Sequence, residues 1–266
     1  MGPLAVIGHL SLDAVDGSPP RIGGAPWYAG RAIKLLGRRA TIAAKCGQRE
    51  RRQFLVRLES LGLPVSLVAG GATTAFSLDY EGADRHMSVD AVGEPWSPEQ
   101  AVAAVDRAEW LQVAPLLRTD FPPETMEALA RGRRLLLDGQ GLVRRAQSGP
   151  LELDASFDRA LLEHVSILKL AEEEALAVAG SVEAVPELGV GEVVVTLGAR
   201  GCIVFDGGRS EHIPAQPVHG VLDPTGAGDA FAATYLSARA RGRTPALAAW
   251  RASALVAGLL AQRTRT

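Results

Sequence analysis

Lysine is nearly missing from this chain. Among 266 residues with 28 basic side chains, the only lysines are Lys34, Lys45 and Lys169. The 30 acidic residues bring the formal net charge to −2, so no basic surplus argues for nucleic acid or an anionic membrane as partner. Cysteine is scarce too. Cys46 and Cys202 are too far apart for a metal knuckle and read as two buried thiols in a reducing cytosol. No apolar run reaches membrane-span length, and Met1 to Gly8 lack the basic start and long apolar core of a signal peptide, so a cytoplasmic location is expected. The Gly-Lys-Ser/Thr tripeptide of a Walker A loop does not occur, and Phe231 stands where a dinucleotide fingerprint starting at Gly226 would need its third small residue. Internal repeats and low-complexity linkers are absent as well.

What is present is an alternation of apolar runs and amphipathic segments in a chain long enough for one large α/β domain, residues 1–266. Strands are expected at Leu4–Gly8, Thr41–Lys45, Pro64–Val68, Trp110–Val113, Leu135–Asp138, Val165–Lys169, Val193–Leu197 and Cys202–Phe205. Helices are expected at Ala29–Leu36, Arg51–Leu61, Glu124–Ala130, Ala171–Ala179, Gly228–Arg241 and from Pro245 to about Gln262. That order implies a mostly parallel sheet covered on both faces, a three-layer α/β/α sandwich with ligands at the carboxyl ends of the strands. One interval departs from it. Thr73 to Tyr80 and Arg85 to Asp90 both alternate at strand period around the turn Glu81-Gly82-Ala83-Asp84, which predicts a hairpin with no helix.

The densest chemistry lies in Leu222-Asp223-Pro224-Thr225-Gly226-Ala227-Gly228-Asp229-Ala230-Phe231. An alanine-rich helix follows at once, so Thr225 and the two glycines open a helix, where free N–H groups and the helix dipole favour an anion. A carboxylate in the first turn beside that anion would repel it as a binding group. Asp229 makes sense instead as a base that takes the proton from a hydroxyl attacking phosphorus. A helix-capping loop is the plain alternative.

This segment resembles the second signature of the PfkB/ribokinase family of carbohydrate kinases, and the resemblance extends over nearly the whole chain. Ile22-Gly23-Gly24-Ala25-Pro26-Trp27-Tyr28 resembles the family's first signature, a Gly-Gly turn beside the sugar, with Tyr28 where an asparagine commonly stands. Gly8 to Asp13 reads as the end of strand one, and Asp13 matches the family aspartate that accepts hydrogen bonds from two sugar hydroxyls. Gln140 and Arg144, after the strand ending at Asp138, match a place where the family puts polar groups near phosphate or substrate. Thr196, Gly198 and Gly201 resemble the nucleotide loop, and Ser253 with Gly220 to Leu222 would flank the adenine. Asp223 and Thr225 complete the nucleotide contacts. Lys169 to Glu174 resembles the Asn-x-x-Glu element that organises magnesium through water: Glu174 fits the glutamate and Ala171 replaces the asparagine. A helix start with acidic residues complementing the dipole is the plain reading of the same stretch.

The resemblance implies a ribokinase-like fold with a β lid, here reduced and drawn from about 14–22 and 72–92, most like the small inositol-kinase-like branch. It implies ATP and Mg2+ as cofactors and a small-molecule sugar or polyol as substrate, handled by a monomer or homodimer. Asp229 would be the base, the N–H groups of Gly226, Ala227 and Gly228 would hold the transferring phosphate, and Asp13, Gly23 and Gly24 would hold the polyol. Myo-inositol or a similar cyclitol ranks ahead of ribose and of a nucleoside. A phosphorylated sugar would need a second basic pocket, for which Arg85 and Arg144 are candidates. The losses at Tyr28 and Ala171 also leave open a binding protein descended from a kinase, against which the intact Asp223 to Asp229 motif argues.

Overall fold

Runs of valine, leucine and alanine bounded by glycine and proline form the strands, as β-branched and apolar side chains suit a sheet buried on both faces. The computed structural model describes residues 3–81, 84–218 and 224–263. In chain order the first elements are β1 (Leu4–His9), β2 (Ser11–Val15), β3 (Arg21–Gly23), α1 (Ala25–Leu35), β4 (Thr41–Gly47), α2 (Arg51–Glu59) and β5 (Val65–Gly70). Then come β6 (Thr74–Glu81), β7 (Asp84–Ala91), α3 (Pro98–Val105), β8 (Trp110–Ala114), α4 (Pro123–Ala130), β9 (Arg134–Asp138), α5 (Gln140–Val143) and β10 (Gly149–Pro150). The last are β11 (Ile167–Ala171), α6 (Glu172–Ala179), β12 (Glu192–Thr196), β13 (Cys202–Asp206), β14 (Arg209–Ile213), α7 (Ala227–Arg239) and α8 (Pro245–Arg263).

The large sheet has the order β14-β13-β12-β11-β9-β8-β1-β4-β5. The strands from β12 to β5 pair in parallel, and β13 runs against both its neighbours. One core lies between this sheet and α1, α2, α7 and α8, around Val6, Ile42, Phe54, Leu136 and Tyr235. The other lies on the opposite face against α3, α4 and α6, around Ile7, Leu111, Met126, Leu137 and Val178. The expected three layers are therefore present. The strand order reverses between β1 and β8, which opens a crevice at their carboxyl ends.

The second sheet has the order β10-β7-β6-β2-β3 and packs Phe76, Leu78 and Val89 onto Leu116 and Leu117. It starts at Ser11, earlier than the sequence suggested, and it recruits Gly149–Pro150. Strand one does not run on to Asp13. Leu10 is fully buried and donates its N–H to the Lys45 carbonyl at 2.9 Å, which ends β1 and turns the chain into the small sheet. Asp13 thus sits on β2, opposite Arg21 of β3.

Helix α3 and strand β14, like α5 and β10, were missed from the sequence. Helix α3 carried a readable signal, since Ser97 caps it by accepting from the Gln100 N–H at 3.3 Å and Pro98 stands in the first turn. Strand β14 carried none. Its first four residues are exposed, and its ladder with β13 is all that makes it a strand.

Candidate active site

Three helix and strand ends converge on the crevice. The first is the start of α7, where Gly226 takes the left-handed conformation at φ 75. A Cβ at Gly226 would lie 2.2 Å from Cγ of Tyr28, so only glycine lets the ring of α1 lie against this turn. Tyr28 and Gly226 join the two signature segments in space. Ala227 turns its N–H back to the Pro224 carbonyl at 2.9 Å, so this one of the three amides expected to face phosphate is engaged within the turn. Gly228 and Asp229 lie in the first turn of α7. Thr225 is partly buried just before it.

The second contributor is the small sheet. The Asp13 carboxylate lies directly over Gly23, where an added Cβ would meet Oδ2 at 1.9 Å. Gly24 follows as the residue before α1. Asp13, Gly23 and Gly24 are thus one unit, and its charge reaches Asp229. Trp27 is not part of it: it packs on the core beneath the Arg31 guanidinium, 5.7 Å from its ring centre.

The third is the pair β9 and β11. Lys169 and Asp138 are register partners, and the ammonium lies 3.3 Å from Oδ1 of Asp138, with the two side chains 7% and 2% exposed. Burial alone would lower the Lys169 pKa, but the carboxylates of Asp138, Glu174 and Asp229 outweigh it and hold the ammonium above its ordinary range. At Asp229 the balance runs the other way. Desolvation and the Asp138 charge push its pKa up to about 7, against the pull of Lys169 and Arg144. A carboxyl tuned to that value can take and return a proton near neutral pH.

A cavity of about 670 Å3 opens beside this cluster. Lys169, Ala227 and Gly228 line it together with Glu172 and Glu173. Thr196, Gly198, Gly201 and Ser253 give it polar edges, and Val218, Phe231, Val256, Ala257 and Leu260 make an apolar wall. A chain of charged groups leading to an apolar slot fits a ligand that is anionic at one end and flat and apolar at the other.

A family model for pfkB family carbohydrate kinases matches residues 20–266. The chain belongs to the pfkB family of carbohydrate kinases. A cytidine kinase of Thermococcus kodakarensis is 28% identical over 256 residues, covering 90% of this chain and 89% of that protein. An inositol 3-kinase of Oryza sativa subsp. japonica is 36% identical over 131 residues, covering 43% of this chain and 30% of that protein. The solved structure of a pyrophosphate-dependent kinase in the ribokinase family, complexed with a pyrophosphate analog and myo-inositol, matches with TM-score 0.85 at 23% identity and covers 97% of this chain and 94% of that one. This likeness shows the ribokinase-like fold, and the inositol kinases among the relatives support the inositol-kinase-like branch.

Within this pfkB-family frame the remaining candidates divide. Arg144 is partly buried and acts electrostatically on both Asp229 and Glu174. Gln140 donates from Nε2 to the Pro115 carbonyl at 2.8 Å, so its amide N–H serves the fold at the base of α5. Glu174 is 5% exposed. Its Oε2 accepts the Ala171 N–H at 2.7 Å, and its pKa is raised by desolvation in spite of Lys169. Asp223 and Gly220 to Leu222 lie outside the described residues, as does the side chain of Arg85. No helix among the described residues is long and apolar enough to cross a membrane.

Two site residues escaped the sequence reading. Lys169 had a signal in its scarcity and its place at a strand end before an acidic run. Gln112, fully buried in β8, reaches the Asp229 carbonyl from Nε2 at 3.5 Å. A lone glutamine inside an apolar strand gives no hint of that contact.

Proposed function

We propose that this chain phosphorylates a hydroxyl of a small sugar or polyol with a nucleoside triphosphate as donor. The observation that carries the reading is Asp229, in the first turn of α7 with its pKa pushed up to about 7, within electrostatic reach of Asp13 and next in the chain to the cavity-lining Gly228. Asp13 over Gly23 receives two neighbouring hydroxyls of the acceptor. Asp229 accepts the proton of the attacking hydroxyl as its oxygen bonds to the γ-phosphorus. The bond from that phosphorus to the β,γ-bridging oxygen breaks, and the nucleoside diphosphate leaves with the electron pair. The N–H groups of Gly226 and Gly228 at the start of α7 face the charge on the transferring group. The apolar wall around Phe231, Val256 and Leu260 takes the base of the nucleotide. The small sheet serves as a lid that keeps water from the phosphoryl group.

Magnesium, the usual counter-ion of a triphosphate, finds no protein ligands here in the pattern the family resemblance implies. Ala171 offers no side-chain donor, Glu174 is turned to its own helix start, and no group of three or more His, Cys, Asp or Glu among the described residues could hold a metal ion. No step above is assigned to a metal held by this protein.

Among acceptors a cyclitol such as myo-inositol ranks first, supported by the rice inositol 3-kinase match. Ribose ranks next and a nucleoside third, the last supported by the cytidine kinase match over most of the chain. The test is product formation from ATP or pyrophosphate with myo-inositol, ribose, fructose, adenosine, cytidine and phosphorylated sugars. Acceptor-dependent ADP release is the expected result. Asp229→Asn should then lose kcat by roughly 10²–10⁴-fold. ATP bound without turnover on any acceptor would favour the binding protein.

A further inference from the structure

We infer that Lys169, paired with Asp138 and within the field of Glu174, is a cation built into the phosphate-donor site, and that Glu174 serves this lysine in place of a protein-held metal ion. The inference rests on the donor site of the proposed function and departs from the role that family resemblance gives Glu174. Lys169 is the middle residue of the buried strand β11 and yet lines the cavity. Its ammonium lies where it meets the start of α7, since a Cβ added to Gly228 would be 3.1 Å from Nζ. The same turn that presents N–H groups therefore presents a full positive charge.

Its anchors leave it free to act. The distances to Oδ1 and Oδ2 of Asp138 are 3.3 and 3.5 Å, longer than the roughly 2.7–2.9 Å of a tight charge-assisted bond. An ammonium has three donors, and at these lengths it can turn one toward a phosphate oxygen without losing its register with Asp138. Without Lys169 the floor of the site would hold the carboxylates of Glu172 and Glu173 and no basic side chain among the described lining residues, with the charges of Asp138 and Asp229 close behind. Such a floor would repel a polyphosphate. Glu174 has one oxygen committed to the Ala171 N–H and its charge directed at Lys169. Alanine at 171 offers no side-chain oxygen of its own to orient a metal's water.

The ligand chemistry is a polyphosphate chain, and two probes separate its sources. Calorimetric titration of the full chain with the non-hydrolysable ATP analogue AMP-PNP, and separately with methylenediphosphonate, is run in EDTA and again in excess Mg2+. Wild type is expected to bind AMP-PNP in EDTA. Lys169→Met is expected to weaken binding by roughly 10–100-fold under both conditions, as loss of a hydrogen-bonded charge does. Glu174→Gln keeps an acceptor for the Ala171 N–H, so it protects the test against a misfolded lysine variant. It should weaken binding less than Lys169→Met and by the same factor with and without Mg2+. The inference is overturned if wild type binds only with Mg2+ and Glu174→Gln removes that dependence while Lys169→Met leaves affinity intact. Lysine-dependent binding of methylenediphosphonate with no binding of AMP-PNP keeps the lysine's role and overturns the nucleotide donor alone. Binding of neither probe overturns both.

Discussion

Two of the three lysines are buried, Lys45 at 3% and Lys169 at 6% exposure, and the surroundings of each set them to opposite tasks. Lys45 near the end of β4 donates to the Pro95 carbonyl at 2.7 Å and to Oε1 of Gln100 at 2.9 Å, with its ammonium 5.8 Å from the Trp96 ring centre. Desolvation lowers its pKa although Glu94 and Asp120 pull it back. Beside it, His9 bonds the Glu94 carbonyl through Nε2 at 2.7 Å, while Asp120 accepts the N–H groups of Leu116 and Leu117. The contacts to Glu94, Pro95 and Trp96 fix the segment 93–97, where the chain returns from the small sheet to α3. Lys169 has carboxylates as partners, a raised pKa and a cavity in front of it. A buried ammonium with neutral acceptors at short distance is a strut. One with loose ionic partners and an open side is a binding group.

The sharpest way to break this contrast is to remove both charges in turn. Lys169→Met should weaken the donor by roughly 10–100-fold with a folded protein remaining. Lys45→Met should leave kcat and the KM for the donor within about twofold and instead cost about 1–3 kcal/mol of stability, because the Pro95 carbonyl and the Gln100 amide lose their partner. Urea unfolding and donor titration on both variants check this, and a Lys45 variant with a donor defect would dissolve the distinction.

A second variant sharpens the anion site itself. Gly226→Ala places a methyl 2.2 Å from the Tyr28 ring at φ 75, and the left-handed conformation alone costs an L-residue about 1–2 kcal/mol. We expect kcat to fall roughly tenfold, by an effect of that size on a shifted α7 start. Adding Tyr28→Ala should recover the steric part of the loss and leave the part due to φ, which the kcat values of the double and single variants separate.

The last comparison concerns pH and stability. The pKa of Asp229 rises on folding from 3.8 to about 7, so the native state holds a proton that the unfolded chain has released. Its contribution is full below the unfolded value and is lost as pH rises through about 7. Asp229→Asn has no such dependence. Its Tm relative to wild type should therefore increase from pH 4 to pH 8, and a constant difference would show that Asp229 is not perturbed in the folded chain.

Much of the fold was legible because buried parallel strands are written as valine and leucine runs and helices as amphipathic stretches between them. The start of α7 was legible for a different reason, since glycines, a threonine and an acid in one turn have few uses besides an anion and a proton. What stayed hidden depends on pairing across the chain. Lys169 acquires its meaning from Asp138, its register partner 31 residues earlier. Glu174 reads from sequence as a metal-organising acid or a helix-start residue, and only its contact with the Ala171 N–H shows that it is engaged with its own helix start. β14 is a strand because β13 is there to pair with it.

The most direct test of the account is steady-state phosphorylation of the acceptor found in the panel, with wild type and Asp229→Asn measured side by side at pH 8. The account predicts acceptor-dependent turnover by wild type and a fall in kcat of roughly 10²–10⁴-fold in the variant, with donor affinity little changed. Near-normal turnover by Asp229→Asn would contradict it, since the proton would then leave the hydroxyl by another route.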